Sequence, residues 1–225
     1  MAYFQSWESF SNLMGSLLSG AGVTLEIFFF TLLFSIPLGF LVCFGRMSKF
    51  KPLKWFSQGY IVLFRGTPLM LQLLFFYFAV ALLQIPGTGT TSGRIFVAIF
   101  VFSINYSSYF AEIFRGGIQS VPLGQYEAAD MLGFTRKQSF SKIILPQVLK
   151  NVLPPVGNEV ITLVKDTSLV YIISVSDLLR ESQIIVKRDS DLMPFAVAAI
   201  FYLLLTSILT FMFNKLEKKF DYYKL

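Results

Sequence analysis

The sequence contains no histidine, so the usual general base at neutral pH and the commonest nitrogen ligand for metals are both missing. It has a single cysteine, Cys43, which excludes an intrachain disulfide and any cysteine cluster for metal. Only 14% of its 225 residues are charged. No GxxxxGK[ST] phosphate loop occurs, so the chain cannot hold ATP by that route. No nucleophile–base set and no ligand cluster can be assembled, and an enzyme in its own right is rejected. Energy for any work the chain does must come from a partner or from an ion gradient.

What is present is apolar: 55% of the residues are hydrophobic and 26 are phenylalanine. That composition belongs in lipid. The net charge of +6 does not point to nucleic acid, because the basic residues fall in short connections between apolar runs. The expected fold is all-α: an integral membrane protein of five transmembrane helices in one domain, residues 1–225. The spans are expected at about 23–44, 57–83, 94–114, 148–176 and 194–213. The N-terminus lacks a basic stretch and its first apolar run is long enough to remain as an anchor, so no cleaved signal peptide is expected. Trp7, Phe10, Met14 and Leu17 share one helical face, which predicts a separate short helix lying in the outer interface. Kinks are expected at Pro37 and around Pro154-Pro155.

Orientation follows from the basic residues. Thirteen lie in the first loop, after the third span and in the tail, including Lys224, against four in the remaining connections. This places the C-terminus in the cytoplasm and the N-terminus outside.

Residues 120–146 form the one long segment too polar to cross a membrane. Pro122 suits a first helical turn, with Glu127 and Asp130 near the positive helix end. Ala128 and Ala129 make that helix thin, so another surface can approach it. Gly133 is expected to end it in a left-handed conformation. Thr135 and Gln138 are spaced as a capping box for a second short helix, which Leu145-Pro146 should close. The physical alternative is an amphipathic helix resting on headgroups.

Charged and polar groups inside spans need partners or a cavity. Glu159 and Asp166, seven residues apart, share one face of a continuous helix. They line a translocation site that attracts an ammonium or guanidinium group, or they pair with Lys165, Arg65 or Arg115. Arg65 could meet a substrate carboxylate or snorkel to headgroups. Thr67 stands beside it. Gln72, Asn105, Ser107 and Ser108 could hydrogen-bond a zwitterion or join helices to one another.

Glu127-Ala128-Ala129, Gly133 and Ile143-x-Leu145-Pro146 resemble the EAA loop of permease subunits of ATP-binding-cassette importers. Arg65-Gly66-Thr67-Pro68, the run from Tyr109 to Ile118 and Lys165-Asp166-Thr167-Ser168-Leu169 are similar to the polar amino acid branch, which includes systems for His, Glu, Gln, Arg and opines. The likeness spans roughly residues 15–218. It implies the fold of a type I importer permease with cytoplasmic coupling helices. Glu127, Ala128, Ala129, Gly133, Ile143, Leu145 and Pro146 would then couple to the ATPase. It further implies ATPase subunits that bind ATP and Mg, a second permease (identical or paralogous), an extracytoplasmic amino-acid-binding protein, and residence in the cell membrane. No cofactor is implied for this chain itself. The competing readings are a stand-alone gradient-driven carrier or channel for a cationic or zwitterionic solute, and a membrane-anchored assembly factor.

Overall fold

A computed structural model describes residues 7–220, and every regular element among them is helical. α1 spans Trp7–Met47, a continuous helix of 41 residues. At 1.5 Å per residue it is roughly 60 Å long, about twice the hydrocarbon thickness. The expected separate interfacial helix is therefore absent. Nothing in the sequence between Trp7 and the charge-free run stops a helix, and the two segments fuse. With Ile27 to Gly45 in hydrocarbon, the N-terminal part stands outside it. There Leu13, Leu17 and Ala21 pack against two later helices, α8 (Leu178–Asp189) and α9 (Met193–Phe220). The helix also runs through Pro37 without interruption.

Ile27, Thr31, Ser35, Gly39 and Cys43, four apart, form the buried stripe of α1. Small residues let backbones approach in a membrane. A Cβ added to Gly39 would lie 2.7 Å from the Cβ of Phe110 on α4, which spans Thr91–Gln119. α1 and α4 make the most extensive helix pair of the fold.

The second apolar run is not one helix. α2 (Lys51–Gly66) and α3 (Leu69–Leu82) meet at 105°. Pro68 cannot donate to the carbonyl of Phe64, and Thr67 before it is extended. A turn-rich stretch leads to α4, capped by Thr90.

The polar segment folds as α5 (Leu123–Met131), then α6 (Arg136–Ser139), then a π-helical turn Phe140–Ile144 that runs straight into α7 (Leu145–Asp166). Pro122 is the N-cap rather than a helical residue. Glu127 and Asp130 fall at the middle and end of α5, not in its first turn. Leu145-Pro146 opens α7 instead of closing the preceding helix. The proline N cannot donate to the residue four back, and the helix widens just before it, with the Leu145 N–H reaching the Phe140 carbonyl.

α7 continues through Pro154-Pro155 and ends at Asp166. A 3₁₀ segment, Thr167–Ile173, follows in place of the longer α-helical span expected to residue 176. Gly117 on α4 and Gly157 on α7 sit where a Cβ would overlap Val152 and Phe213 respectively, which fixes the α4–α7 and α7–α9 crossings.

Among the described residues, α1, α4 and α9 are each long and apolar enough to cross a membrane, and the bent α2–α3 pair would make a fourth. α7, the most polar of the expected spans, falls outside that set. The charged segment that follows forms α8, whose N-cap is Asp177.

Candidate functional site

Two regions hold the residues singled out above. The first lies where the α2–α3 break meets α4, which in turn packs on α7. The Phe64 carbonyl, orphaned by Pro68, accepts from Gln72 Nε2 at 3.0 Å and from Asn105 Nδ2 at 2.9 Å. The Asn105 amide also donates to Gln72 Oε1 at 2.9 Å. Gln72 Nε2 further donates to the Thr67 carbonyl and to its hydroxyl, at 3.1 and 2.7 Å. Thr67, Gln72 and Asn105 thus satisfy the backbone carbonyls freed at the break in the helix. Ser107 bonds Tyr60 at 2.7 Å and the Ile104 carbonyl at 2.8 Å. Ser108, fully buried, donates to the Asn105 carbonyl at 2.6 Å. All five polar residues are brought together or kept nearby, Thr67 in the α2–α3 break and the others on α3 and α4, and all five use hydrogen bonds within the chain.

The charged members behave differently. Glu159 and Asp166 lie on the uninterrupted α7, and each is half-buried. Asp166 accepts from the Tyr106 hydroxyl at 2.7 Å, across from α4. Glu159 lies within electrostatic reach of Arg65 and Asp166. Arg65, exposed at the end of α2, holds its guanidinium 5.0 Å from the ring centroid of Tyr109. Among the described residues neither Glu159 nor Asp166 has a cation within 4.0 Å, so the expected alternative of ion pairing with Lys165, Arg65 or Arg115 is not realised. Arg115 instead pairs with Glu112, which also faces Arg46 of α1 at 4.0 Å.

Tyr106 and Tyr109 are the members of this cluster that sequence reasoning did not single out. Tyr106 stood in the polar string of the third span, but its partner lies 60 residues away.

The second region is the α5–α6 elbow. Gly133 adopts φ +74°, and its N–H donates to the Asp130 carbonyl at 3.0 Å. The Phe134 N–H reaches the Ala129 carbonyl at 3.1 Å, completing a Schellman closure. The capping box forms as read from the sequence, with the Thr135 N–H donating to Gln138 Oε1 at 2.9 Å and the Gln138 N–H to the Thr135 hydroxyl at 3.4 Å. Glu127 and Ala128 are exposed, whereas Ala129 is buried within the chain. Around them Leu123, Met131 and Leu132 are 77%, 91% and 74% exposed. Ile143, Leu145 and Pro146 are half-buried at the root of α7 and present less surface. Gln147 ties the two elements, donating to the Ile143 carbonyl at 2.8 Å and to Gln125 of α5 at 3.2 Å. Asn151 adds a 2.7 Å bond to Ser120. Through Gln147, α5 is bonded to α7, which carries Glu159 and Asp166.

Residues 35–222 match the family described as binding-protein-dependent transport system inner membrane component. The chain is 33% identical over 221 residues to the L-cystine transport system permease protein TcyB of Bacillus subtilis (strain 168), covering 96% of this chain and 92% of the relative. It is 34% identical to the arginine transport system permease protein ArtQ of the same organism, over 90% of this chain and 91% of the relative. It is 37% identical to the glutamate/aspartate import permease protein GltK of Escherichia coli O157:H7, over 83% of this chain and 85% of the relative. Among solved structures, one described as an amino acid ABC transporter with histidines aligns with a TM-score of 0.83 and 32% identity, covering 95% of this chain and 98% of that one. An inward-facing MetNI methionine ABC transporter shares the fold, with a TM-score of 0.70 at 18% identity over 96% of this chain and 99% of that one. The stand-alone carrier and the assembly factor give way to one conclusion: the chain belongs to the binding-protein-dependent inner membrane component family and is a permease subunit of an ATP-driven importer, with ATP hydrolysis lying in a partner chain.

Proposed function

We propose that the chain forms half of a translocation pathway for a cationic or zwitterionic amino acid. Glu159 meets the ammonium or guanidinium group of the substrate, and Arg65, across from it, meets the carboxylate. Asp166, oriented by Tyr106, adds negative potential at the far end of α7. Thr67, Gln72, Asn105, Ser107 and Ser108 frame the site and hold α3 on α4. The observation that carries this reading is a half-buried carboxylate within electrostatic reach of Arg65 but with no cation in contact among the described residues. A charge kept at such depth without a partner costs about 2.5 to 3.5 kcal/mol, which a passing cation would offset. The names of ArtQ and of the histidine-related crystal structure agree with such a substrate.

The single permease domain crosses the inner membrane five times, α7 and its 3₁₀ extension being the fourth crossing. Its N-terminus faces outward and its C-terminus the cytoplasm. A second permease, identical or paralogous, completes the pathway, and an extracytoplasmic binding protein delivers substrate. ATPase subunits, which bind ATP and Mg, grip the exposed face of α5 through Glu127, Ala128 and the apolar ring of Leu123, Met131 and Leu132. An apolar patch of that kind outside the spans fits a protein contact. Closing the ATPases moves α5, and the amide tie of Gln147 to Gln125 passes the movement to α7, while Asn151 holds α7 to Ser120 at the end of α4. Glu159→Gln tests the substrate role: ATP-driven uptake falls at least about tenfold, a loss of about 1.4 kcal/mol in binding, while the complex assembles normally. Unchanged uptake of every candidate amino acid would sink it.

A further inference from the structure

The turn from α1 into α2 exposes eight consecutive residues, 49–56. They alternate cations with apolar groups. Lys49, Lys51 and Lys54 project with Phe50, Trp55 and Phe56, which are 65%, 68% and 74% exposed. The stretch is not loose. Gly45 and Ser57 pin the two helices so closely that a Cβ on Gly45 would overlap the Ser57 hydroxyl. The opposite face of the turn is thereby held outward.

Among the described residues no carboxylate pairs with these lysines. Not one Asp or Glu lies between Glu26 and Glu112. Glu112 itself is taken by Arg115 and Arg46. None of the three lysines makes an ion pair among the described residues. They are therefore open to a counter-charge from outside the described residues. The position says from where. The stretch begins four residues after Gly45, the end of the charge-free run of α1, where a span of that length would reach the headgroups. There an aromatic ring sits at the hydrocarbon boundary and a lysine reaches the phosphates.

We infer that residues 49–56 form a binding surface for anionic phospholipid headgroups, with Trp55 and Phe56 seated between acyl chains and the three lysines on phosphate. An acidic protein surface would supply the charge but would leave the exposed aromatic rings without the lipid boundary that suits them. Anchoring here holds the base of α2, and with it the bent α2–α3 pair that carries Arg65 and Thr67.

The chain has two tryptophans, Trp7 and Trp55, so Trp7→Phe leaves Trp55 as the only tryptophan reporter in the chain. The full-length variant, with its ATPase partners made tryptophan-free by substitution, is placed in lipid nanodiscs. These contain the same phosphatidylglycerol and phosphatidylcholine mixture, with brominated chains on one lipid or the other. Anionic selectivity predicts Trp55 quenching about three- to tenfold stronger per mole of brominated phosphatidylglycerol than of brominated phosphatidylcholine. High salt narrows that ratio. The triple variant Lys49→Gln, Lys51→Gln, Lys54→Gln brings it to parity while phosphatidylcholine still quenches, which shows that the turn remains folded in lipid. Equal quenching by the two lipids in the parent, or unchanged selectivity in the triple variant, would overturn the inference. So would the absence of quenching by either lipid, which would mean that protein covers the surface.

Discussion

Gly133 offers the sharpest test of how the elbow works, because its surroundings separate backbone strain from crowding. Its φ is +74°, and a Cβ built on it meets nothing within 4 Å. Any cost of substitution is therefore conformational. An ordinary L-residue in the left-handed region loses about 1 to 2 kcal/mol. A β-branched residue loses more, and asparagine loses least. The expected order of damage is Asn, then Ala, then Val. A loss of about 1 to 2 kcal/mol moves a two-state equilibrium by about five- to thirtyfold. That is too little to unfold the subunit and enough to depopulate the closed turn that aims α5. The assay is the ratio of substrate imported to ATP hydrolysed in proteoliposomes, together with the yield of co-purified ATPase. Gly133→Val should lower both, and Gly133→Asn should stay close to the parent. Equal damage from Asn and Val would refute the reasoning, because it would place the cost in contacts rather than in φ. Normal coupling in Gly133→Val would count against the docking of α5 altogether.

Asn105→Leu should destabilise the subunit by about 1 to 2 kcal/mol, read from its thermal unfolding in detergent, because Gln72 Oε1 loses its donor and the Phe64 carbonyl keeps only one. Tyr106→Phe frees the Asp166 carboxylate and should raise the substrate KM more than it alters assembly; no change in either would dissociate Asp166 from transport. Asp177, outside the spans, gives a pH test. Burial pushes its carboxyl up to about 6 from an ordinary 3.8, although it caps α8 and accepts from the Leu179 and Arg180 N–H groups at 3.2 and 2.9 Å. The folded state thus holds the proton more tightly than the unfolded one. The stability from this group is full below about 3.8 and is lost as pH rises through about 6, by about 3 kcal/mol in all. Tyr202 faces the same carboxyl at 3.4 Å, with Glu181 one turn along α8. Asp177→Asn should flatten the melting temperature between pH 4 and 7, values chosen to bracket about 3.8 to 6; an unchanged slope would assign the effect elsewhere.

What the sequence revealed depended on how local the cause was. Gly133 and the Thr135–Gln138 box need only neighbours within four residues, and both formed as read. The common face of Glu159 and Asp166 needed only an unbroken helix. Pro146 shows the limit of such rules. A proline ends a helix unless a π turn absorbs the missing donor, and Phe140–Ile144 does so. Pro68 shows the opposite outcome, since there the break is real and Gln72 and Asn105 repair it from other helices. The sequence allowed those two amides a substrate role or a joining role, and their shared bond to the Phe64 carbonyl needed the fold to be seen. Tyr106 was invisible as a partner of Asp166 because that contact depends on how α4 crosses α7, set by Gly117 against Val152.

The central claim is that α5 is where an ATPase takes hold. Cys43 is the only cysteine and is buried, so Cys43→Ser with Glu127→Cys places a single reactive thiol on the exposed face of α5. A cross-linker with a thiol-reactive end for that introduced thiol and a photoreactive end that inserts into any nearby C–H or N–H bond, applied to native membranes, should join that chain to an ATP-hydrolysing subunit, in a yield that changes when ATP is added. A transport-competent variant that yields no such adduct, with or without ATP, would contradict the account.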